Sequence, residues 1–205
     1  EIQSGTIGDL KMFSIREHRF PFLIKVNDWN RFSKNTGGTL VEKCCHFFDL
    51  MRLVTNSEAV SVYASGAQDV NHLNEQYRGR KPDIIDNAFV IVNFENGIRS
   101  MLDLCMFSEN SKLQEELCAV GNIGKIETGV PSFLSGKSSS ELSIGLRKSN
   151  NILIENIEVD ETILKAGHHH GSTYYEHLEL QKAITENLRA QVSLDAVSYT
   201  HLTLP

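Results

Sequence analysis

The stretch GGTLVEKCCHFFD, residues 37–49, marks the change from a loop to a helix. Two glycines end the loop, and Thr39 is of a residue type that caps helices. Apolar side chains recur from there at helical spacing, which predicts one helix over residues 40–54. They are Val41, Cys44, Cys45, Phe48 and Met51. Asn56 and Ser57 are expected to end the helix.

The same helix carries three titratable residues, Glu42, His46 and Asp49, at positions i, i+4 and i+7. On a regular helix this spacing puts them on one face. A carboxylate one turn from an imidazole can hold one ring nitrogen and leave the other for proton transfer. The alternative is a solvated helix face with an incidental histidine, which the spacing alone favours.

We predict no metal site. The H-E-x-x-H motif is absent, no third ligand lies near Glu42 and His46 in the sequence, and three consecutive histidines at 168–170 cannot all point one way. The four cysteines contain no C-x-x-C pair, which predicts reduced thiols in the cytoplasm.

The rest of the chain alternates as strands do, and Asn96-Gly97 between two apolar runs is a hairpin signal. A second helix is predicted over 172–187, packed on a sheet and capped by Ser172. The predicted fold is therefore α+β, with a large open, mostly antiparallel sheet and helices packed on one face. The predicted strands cover residues 9–17, 59–67, 87–94, 98–107, 113–120, 124–128, 141–147 and 152–159.

Composition excludes several classes of function. Apolar residues make up 40% of the 205 residues, and the net charge of −6 argues against a nucleic-acid binder. No window is apolar enough to cross a membrane, and no signal peptide is recognisable.

The chain begins at Glu1, so the native start is expected upstream. Residues 197–205 resemble translated sequencing adapter and are expected to be a non-native tail.

Residues 37–49 resemble the signature of the Gfo/Idh/MocA family, the glucose-fructose and inositol oxidoreductases. That signature is a glycine pair, an acid, a histidine four residues on, and a second acid three further. Glu17-His18-Arg19, at the end of the first predicted strand, the Asn-Gly hairpin and residues 120–127 also resemble this family. The resemblance covers about residues 5–196.

The resemblance implies an oxidoreductase with two domains. The first would be a Rossmann domain that binds NAD or NADP and carries a catalytic lysine in a Glu-Lys-Pro motif. Residues 1–196 resemble only the second, substrate-binding and catalytic domain, and this chain has no G-x-G-x-x-G stretch. Glu42-Lys43 is not the lysine motif, because Cys44 replaces the proline.

The resemblance further implies hydride transfer between a sugar or polyol carbon and the nicotinamide. His46 would exchange the hydroxyl proton, and Glu42, where an aspartate is more usual, would orient His46 or bind a neighbouring hydroxyl. The predicted substrate contacts are His18, Arg19, Trp29, Asp49, His169, His170 and Tyr174. The alternative is a non-catalytic ligand-binding or dimerisation module of the same fold.

The turn 167–171 is either a polar surface turn or part of the substrate site. In the second case it should approach His18, Arg19 and His46 across one cleft. The strands 87–94 and 98–107 are apolar on both faces, which predicts a homodimer or higher oligomer through the open side of the sheet. The alternative cover for that side is the missing domain.

Overall fold

A computed structural model describes residues 1–132, 139–166 and 171–190. Its strands are β1 (Leu10–His18), β2 (Ala59–Ala67), β3 (Asn87–Phe94), β4 (Arg99–Cys105), β5 (Leu113–Gly121), β6 (Gly124–Pro131), β7 (Ser139–Leu146) and β8 (Ile152–Glu158). Its helices are α1 (Ser33–Thr36), α2 (Thr39–Glu42), α3 (Cys45–Thr55), α4 (Glu161–Ala166) and α5 (Ser172–Thr185). A 3₁₀ segment, Val26–Arg31, precedes α1.

The eight strands form one open sheet in the spatial order β2-β3-β4-β1-β5-β6-β7-β8. Six neighbouring pairs are antiparallel, and only β1 and β4 run parallel. The chain leaves β1 through α1, α2 and α3 and builds β2 and β3 before β4 returns beside β1. The predicted α+β fold with an open, mostly antiparallel sheet is confirmed.

β1 packs against the helices through alternate residues. Phe13 and Ile15 are buried in one apolar cluster with Phe47 and Met51 of α3. Each such side chain contributes roughly 1.5–3 kcal/mol when fully buried, so this alternation fixes which side of β1 faces α3. We call the side towards α2 and α3 the helix face, and the opposite side of the sheet the open face.

The open face carries exposed apolar side chains on neighbouring strands. Tyr63, Ile91 and Met101 are paired directly across β2, β3 and β4, and all three are exposed. Their neighbours Val90 and Leu102 are buried on the helix face. β3 and β4 are therefore apolar on both sides, as their sequences predict.

The predicted single helix over 40–54 is wrong, because the chain breaks it into α2 and α3. Lys43 and Cys44 separate the two with φ angles of −104° and −110°. The amides of Phe47 and Phe48 both donate to the Cys44 carbonyl, so a new helical turn starts there. The regular spacing assumed for Glu42, His46 and Asp49 is therefore interrupted.

The two predicted caps are also wrong. Gly38, with φ +87°, precedes α2, and the Thr39 hydroxyl instead donates to the Ile85 carbonyl. Gly171, with φ +85°, precedes α5 in the position predicted for Ser172. A Cβ atom added to Gly171 would lie 2.8 Å from the Ile163 side chain. No residue of α5 is buried, so the predicted packing of this helix on the sheet is not seen.

None of the described helices has the length and apolarity needed to cross a membrane.

Candidate active site

The end of β1 meets the junction of α2 and α3 in a buried ion cluster, defined here as Glu17, Arg19 and Lys43. Glu17 is 0% exposed, and its Oε1 accepts from Lys43 Nζ at 3.1 Å and from Arg19 Nη1 at 3.3 Å. Burial raises the pKa of Glu17, and the Lys43 charge only partly opposes that shift. The cluster ties the helix break to the central strand.

Glu42 ends α2 with a side chain that is only 11% exposed. Lys25 Nζ donates to its Oε1 at 2.9 Å and lies 5.3 Å from the centre of the Trp29 ring. Its Oε2 is buried and has no hydrogen-bond partner among the residues that the structure describes. The carboxylate is thus held from one side and has an unused acceptor on the other.

His46 is the second residue of α3 and is exposed. Its ring lies 4.1 Å from that of Phe47, which is buried in the core. Asp49, one turn later, forms an ion pair of 3.6 Å with Arg52, which also holds Glu58 at 2.7 Å. The surroundings of Asp49 are therefore set in part by a structural ion pair.

The site offers no activated thiol beside these groups. Cys44 is buried beneath the helix break, and burial raises the pKa of its thiol to about 12. A thiol nucleophile needs the opposite shift. Among the described residues, no three side chains of histidine, cysteine, aspartate or glutamate are grouped to hold a metal ion. The Glu42 and His46 side chains are able to form hydrogen bonds and to exchange protons.

The family model described as the oxidoreductase family, C-terminal alpha/beta domain, Gfo/Idh/MocA, matches residues 1–203. The chain belongs to the Gfo/Idh/MocA family. It is 23% identical over 155 residues to glucose-fructose oxidoreductase domain-containing protein 1 of Xenopus tropicalis, which covers 74% of this chain and 39% of that protein.

Solved structures of similar fold include an aldose-aldose oxidoreductase of Caulobacter crescentus complexed with glycerol, with TM-score 0.69 and 15% identity. A levoglucosan dehydrogenase in complex with NADH and levoglucosan has TM-score 0.67 and 16% identity. A super-repressor mutant of Gal80p of Saccharomyces cerevisiae has TM-score 0.63 and 11% identity. These comparisons cover 95–98% of this chain and 51–59% of those chains, so it spans just over half the length of these relatives.

In this Gfo/Idh/MocA domain His18, one of the predicted site residues, lies on the other side of β1 from the buried Glu17. Side chains alternate along a strand, so His18 lies on the open face while its neighbour Glu17 lies on the helix face. His18 Nε2 lies 3.1 Å from Asp103 Oδ1, between the buried Leu102 and Leu104 of β4. His18 and Glu17 therefore lie on opposite sides of β1, and the substrate contact predicted for His18 stays a prediction. The expectation that the turn 167–171 approaches His18, Arg19 and His46 falls mostly outside the described residues.

The other predicted site residues lie on different elements of the fold. Glu42 and Trp29 are joined through Lys25, and Arg19 lies in the buried ion cluster. Tyr174 is exposed on α5 beside Tyr175. His169 and His170 lie outside the described residues.

Sequence reasoning missed Lys25, Glu17 and Lys43. Glu17 had a usable signal, because it shares the alternation of Phe13 and Ile15 and so had to face the core. A glutamate in that position requires a cation from the covering helix. Lys25 sits in an irregular loop, and nothing in the sequence placed it beside Glu42.

Proposed function

We propose that this chain is the substrate-binding and catalytic half of an NAD(P)-dependent oxidoreductase that acts on a hydroxyl group of a sugar or polyol. The observation that carries the proposal is the unpartnered Oε2 of Glu42, buried beside the start of α3. A buried carboxylate oxygen without a donor costs free energy until a donor arrives. A substrate hydroxyl supplies that donor.

His46 performs the proton transfer in this proposal. It is exposed at the first turn of α3, four residues after Glu42. The proposal requires that a hydroxyl bound at Glu42 also reaches the His46 ring. It takes the hydroxyl proton during oxidation and returns it during reduction. General acid–base transfer of this kind accelerates a reaction by roughly 10²–10⁴-fold.

Lys25 and Trp29 shape the substrate side of the site. Lys25 donates a hydrogen bond to one oxygen of Glu42 and fixes it, so that the other oxygen is left for the ligand. The Trp29 ring is half-exposed and offers an apolar face for the C–H groups of a sugar. His18, Arg19, Asp49, His169, His170 and Tyr174 stay proposed substrate contacts.

The dinucleotide is assigned to the part of the protein that lies beyond this half. These 205 residues contain no G-x-G-x-x-G stretch, so they do not themselves fit a pyrophosphate site. The nicotinamide would accept or supply the hydride. Two of the similar structures, one in complex with NADH and levoglucosan and the other with glycerol, agree with this class of cofactor and substrate. All four cysteines are free thiols, which supports a cytoplasmic location.

The test is turnover of the protein with its upstream domain restored. His46→Ala should lower kcat by about 10²–10⁴-fold. The matched control is His177→Ala, an exposed histidine on α5 whose Nδ1 lies 2.7 Å from the Thr173 carbonyl of the same helix. Equal and small effects of the two substitutions would refute the role of His46.

The alternative is a non-catalytic module that only binds a ligand or dimerises. One protein of similar fold, the Gal80p mutant, is described as a super-repressor, which supports considering this alternative. The discriminating observation is the sequence upstream of Glu1. A G-x-G-x-x-G after a strand and a later Glu-Lys-Pro favour the enzyme, and their absence favours the module.

A further inference from the structure

A second histidine–carboxylate pair lies in the loop between β2 and β3. His72 Nδ1 is 2.8 Å from Glu75 Oε1. The other oxygen of Glu75 accepts from Arg31 Nε at 2.9 Å and from the Tyr77 hydroxyl at 2.7 Å. Burial alone would raise the pKa of Glu75, but the hydrogen bonds from His72, Tyr77 and Arg31 lower it to about 2. The group is therefore a fixed carboxylate.

The backbone holds this pair in place. Asp86 is buried and accepts from the amides of Asp69, Val70 and Asn71 at 3.0, 2.8 and 2.6 Å. The Asn71 side chain donates to the Met106 carbonyl, which ties the loop to the end of β4. His72 follows with φ +63°, a left-handed conformation that is uncommon for a residue other than glycine. The imidazole is thus held by the loop and not free to rotate away.

The pair lines a cleft of about 630 Å³ between the loop after β1 and the loop after β2. That volume lies within the usual range of small-molecule sites, which combine apolar walls with a few polar groups. The polar floor is Arg31, His72 and Glu75. The walls are apolar, and among them are Phe22, Leu23, Ile24 and Val70.

The floor has one unused acceptor and one unused donor. Because a carboxylate only accepts, the Nδ1 of His72 must carry a proton, and in that tautomer of the ring Nε2 is an acceptor. No hydrogen bond to this Nε2 is formed by any residue within the described ranges. Arg31 Nη1 is buried and likewise lacks an acceptor among those residues. Both groups flank the same Glu75 carboxylate.

We propose that this cleft is a second binding site, separate from Glu42 and His46, for a polyhydroxylated small molecule such as a sugar or polyol. Hydroxyl groups donate to His72 Nε2 and accept from Arg31 Nη1, and the apolar walls contact the C–H faces of the ligand. A carboxylate fits less well, since it brings no proton for Nε2. The proposal concerns binding alone and holds even where the oxidoreductase function fails.

The test follows the ring nitrogens of histidine by NMR in the 205-residue chain. Titration with myo-inositol or glucose should shift the His72 Nε2 resonance in a saturable way, and titration with acetate should not. His177, on α5, is the internal reference and should not move. A saturable shift with acetate but not with myo-inositol or glucose would overturn the assignment to hydroxyl groups. No shift with any of these probes would overturn the site itself.

A variant that fills the cleft tests the site without changing its polar side chains. Val70 is exposed on the wall, so Val70→Trp fills the cleft and leaves Arg31, His72 and Glu75 unchanged. It should weaken myo-inositol binding about tenfold or more, and His72→Gln should weaken it about fivefold. The matched control for size is Val60→Trp, on the exposed edge strand β2, and should bind as the parent does. Unchanged binding in Val70→Trp would refute the cleft as the site.

Discussion

The substitution Lys43→Met tests whether the buried ion cluster holds the helix break to β1. Lys43 Nζ lies 3.1 Å from Glu17 Oε1, and Glu17 is 0% exposed. Methionine keeps the length of the side chain but removes the charge. Glu17 then keeps one cation, Arg19, at the longer distance of 3.3 Å.

The expected loss follows from burial. Removing one partner of a buried ion pair leaves an uncompensated charge and costs about 3–5 kcal/mol. Arg19 remains, so we expect a loss near the lower end, about 3 kcal/mol. For a chain of this length that corresponds to a fall in Tm of about 6–12 °C. The double variant Glu17→Leu with Lys43→Met should recover much of the loss, because the fully buried charge of Glu17 is then gone and Arg19, whose side chain is 15% exposed, is the one charge of the cluster that remains.

Urea unfolding gives the free energy of unfolding for each variant. The matched control is Lys125→Met, because Lys125 lies 2.6 Å from Glu127 but both side chains are about half-exposed. An exposed pair contributes about 0–1 kcal/mol, so this control should change little. Equal losses for Lys43→Met and Lys125→Met would refute the argument from burial. So would a double variant that is less stable than Lys43→Met alone.

Two further predictions concern pH and assembly. The pKa of Glu75 is lowered from 4.5 to about 2, so its stabilisation is present above pH 4.5 and is lost as the pH falls towards 2. The difference in unfolding free energy between the parent and Glu75→Gln should therefore shrink over that interval, and a constant difference would contradict it. The open face should form a homodimer, and Ile91→Glu, at its exposed apolar row, should give a monomer in sedimentation equilibrium. A parent protein that sediments as a monomer with its upstream domain would contradict the dimer.

The sheet was predictable because its signals are local. Asn96-Gly97 falls in the turn between β3 and β4, where Gly97 has φ +82°. The strand alternation fixed the buried side of β1 and the two apolar sides of β3. The break between α2 and α3 was not predictable, because Lys43 and Cys44 are compatible with a continuous helix. The break coincides with the contact between Lys43 and Glu17. Glu17 is far from Lys43 in the sequence, so a local sequence pattern does not reveal this contact.

The residues proposed for the candidate site come from the sequence and stay predictions, and their arrangement comes from the structure. Glu42 and His46 follow from the family signature, and the structure adds the buried, half-used carboxylate of Glu42. Lys25 was missed because loop geometry decides its position. The alternation of β1 places His18 on the opposite side of the strand from Glu17, a separation that was not predicted from the sequence.

The face on which His18 lies changes what its substitution can report. β1 is central, so its charged residues must be paired on both sides of the sheet. Glu17 is paired on the helix face by Lys43, and His18 is paired on the open face by Asp103. A substitution at Glu17 therefore acts on the helix break that carries Glu42 and His46. A substitution at His18 acts on the face that also holds the exposed apolar row, so its effect on assembly should be measured beside its effect on turnover.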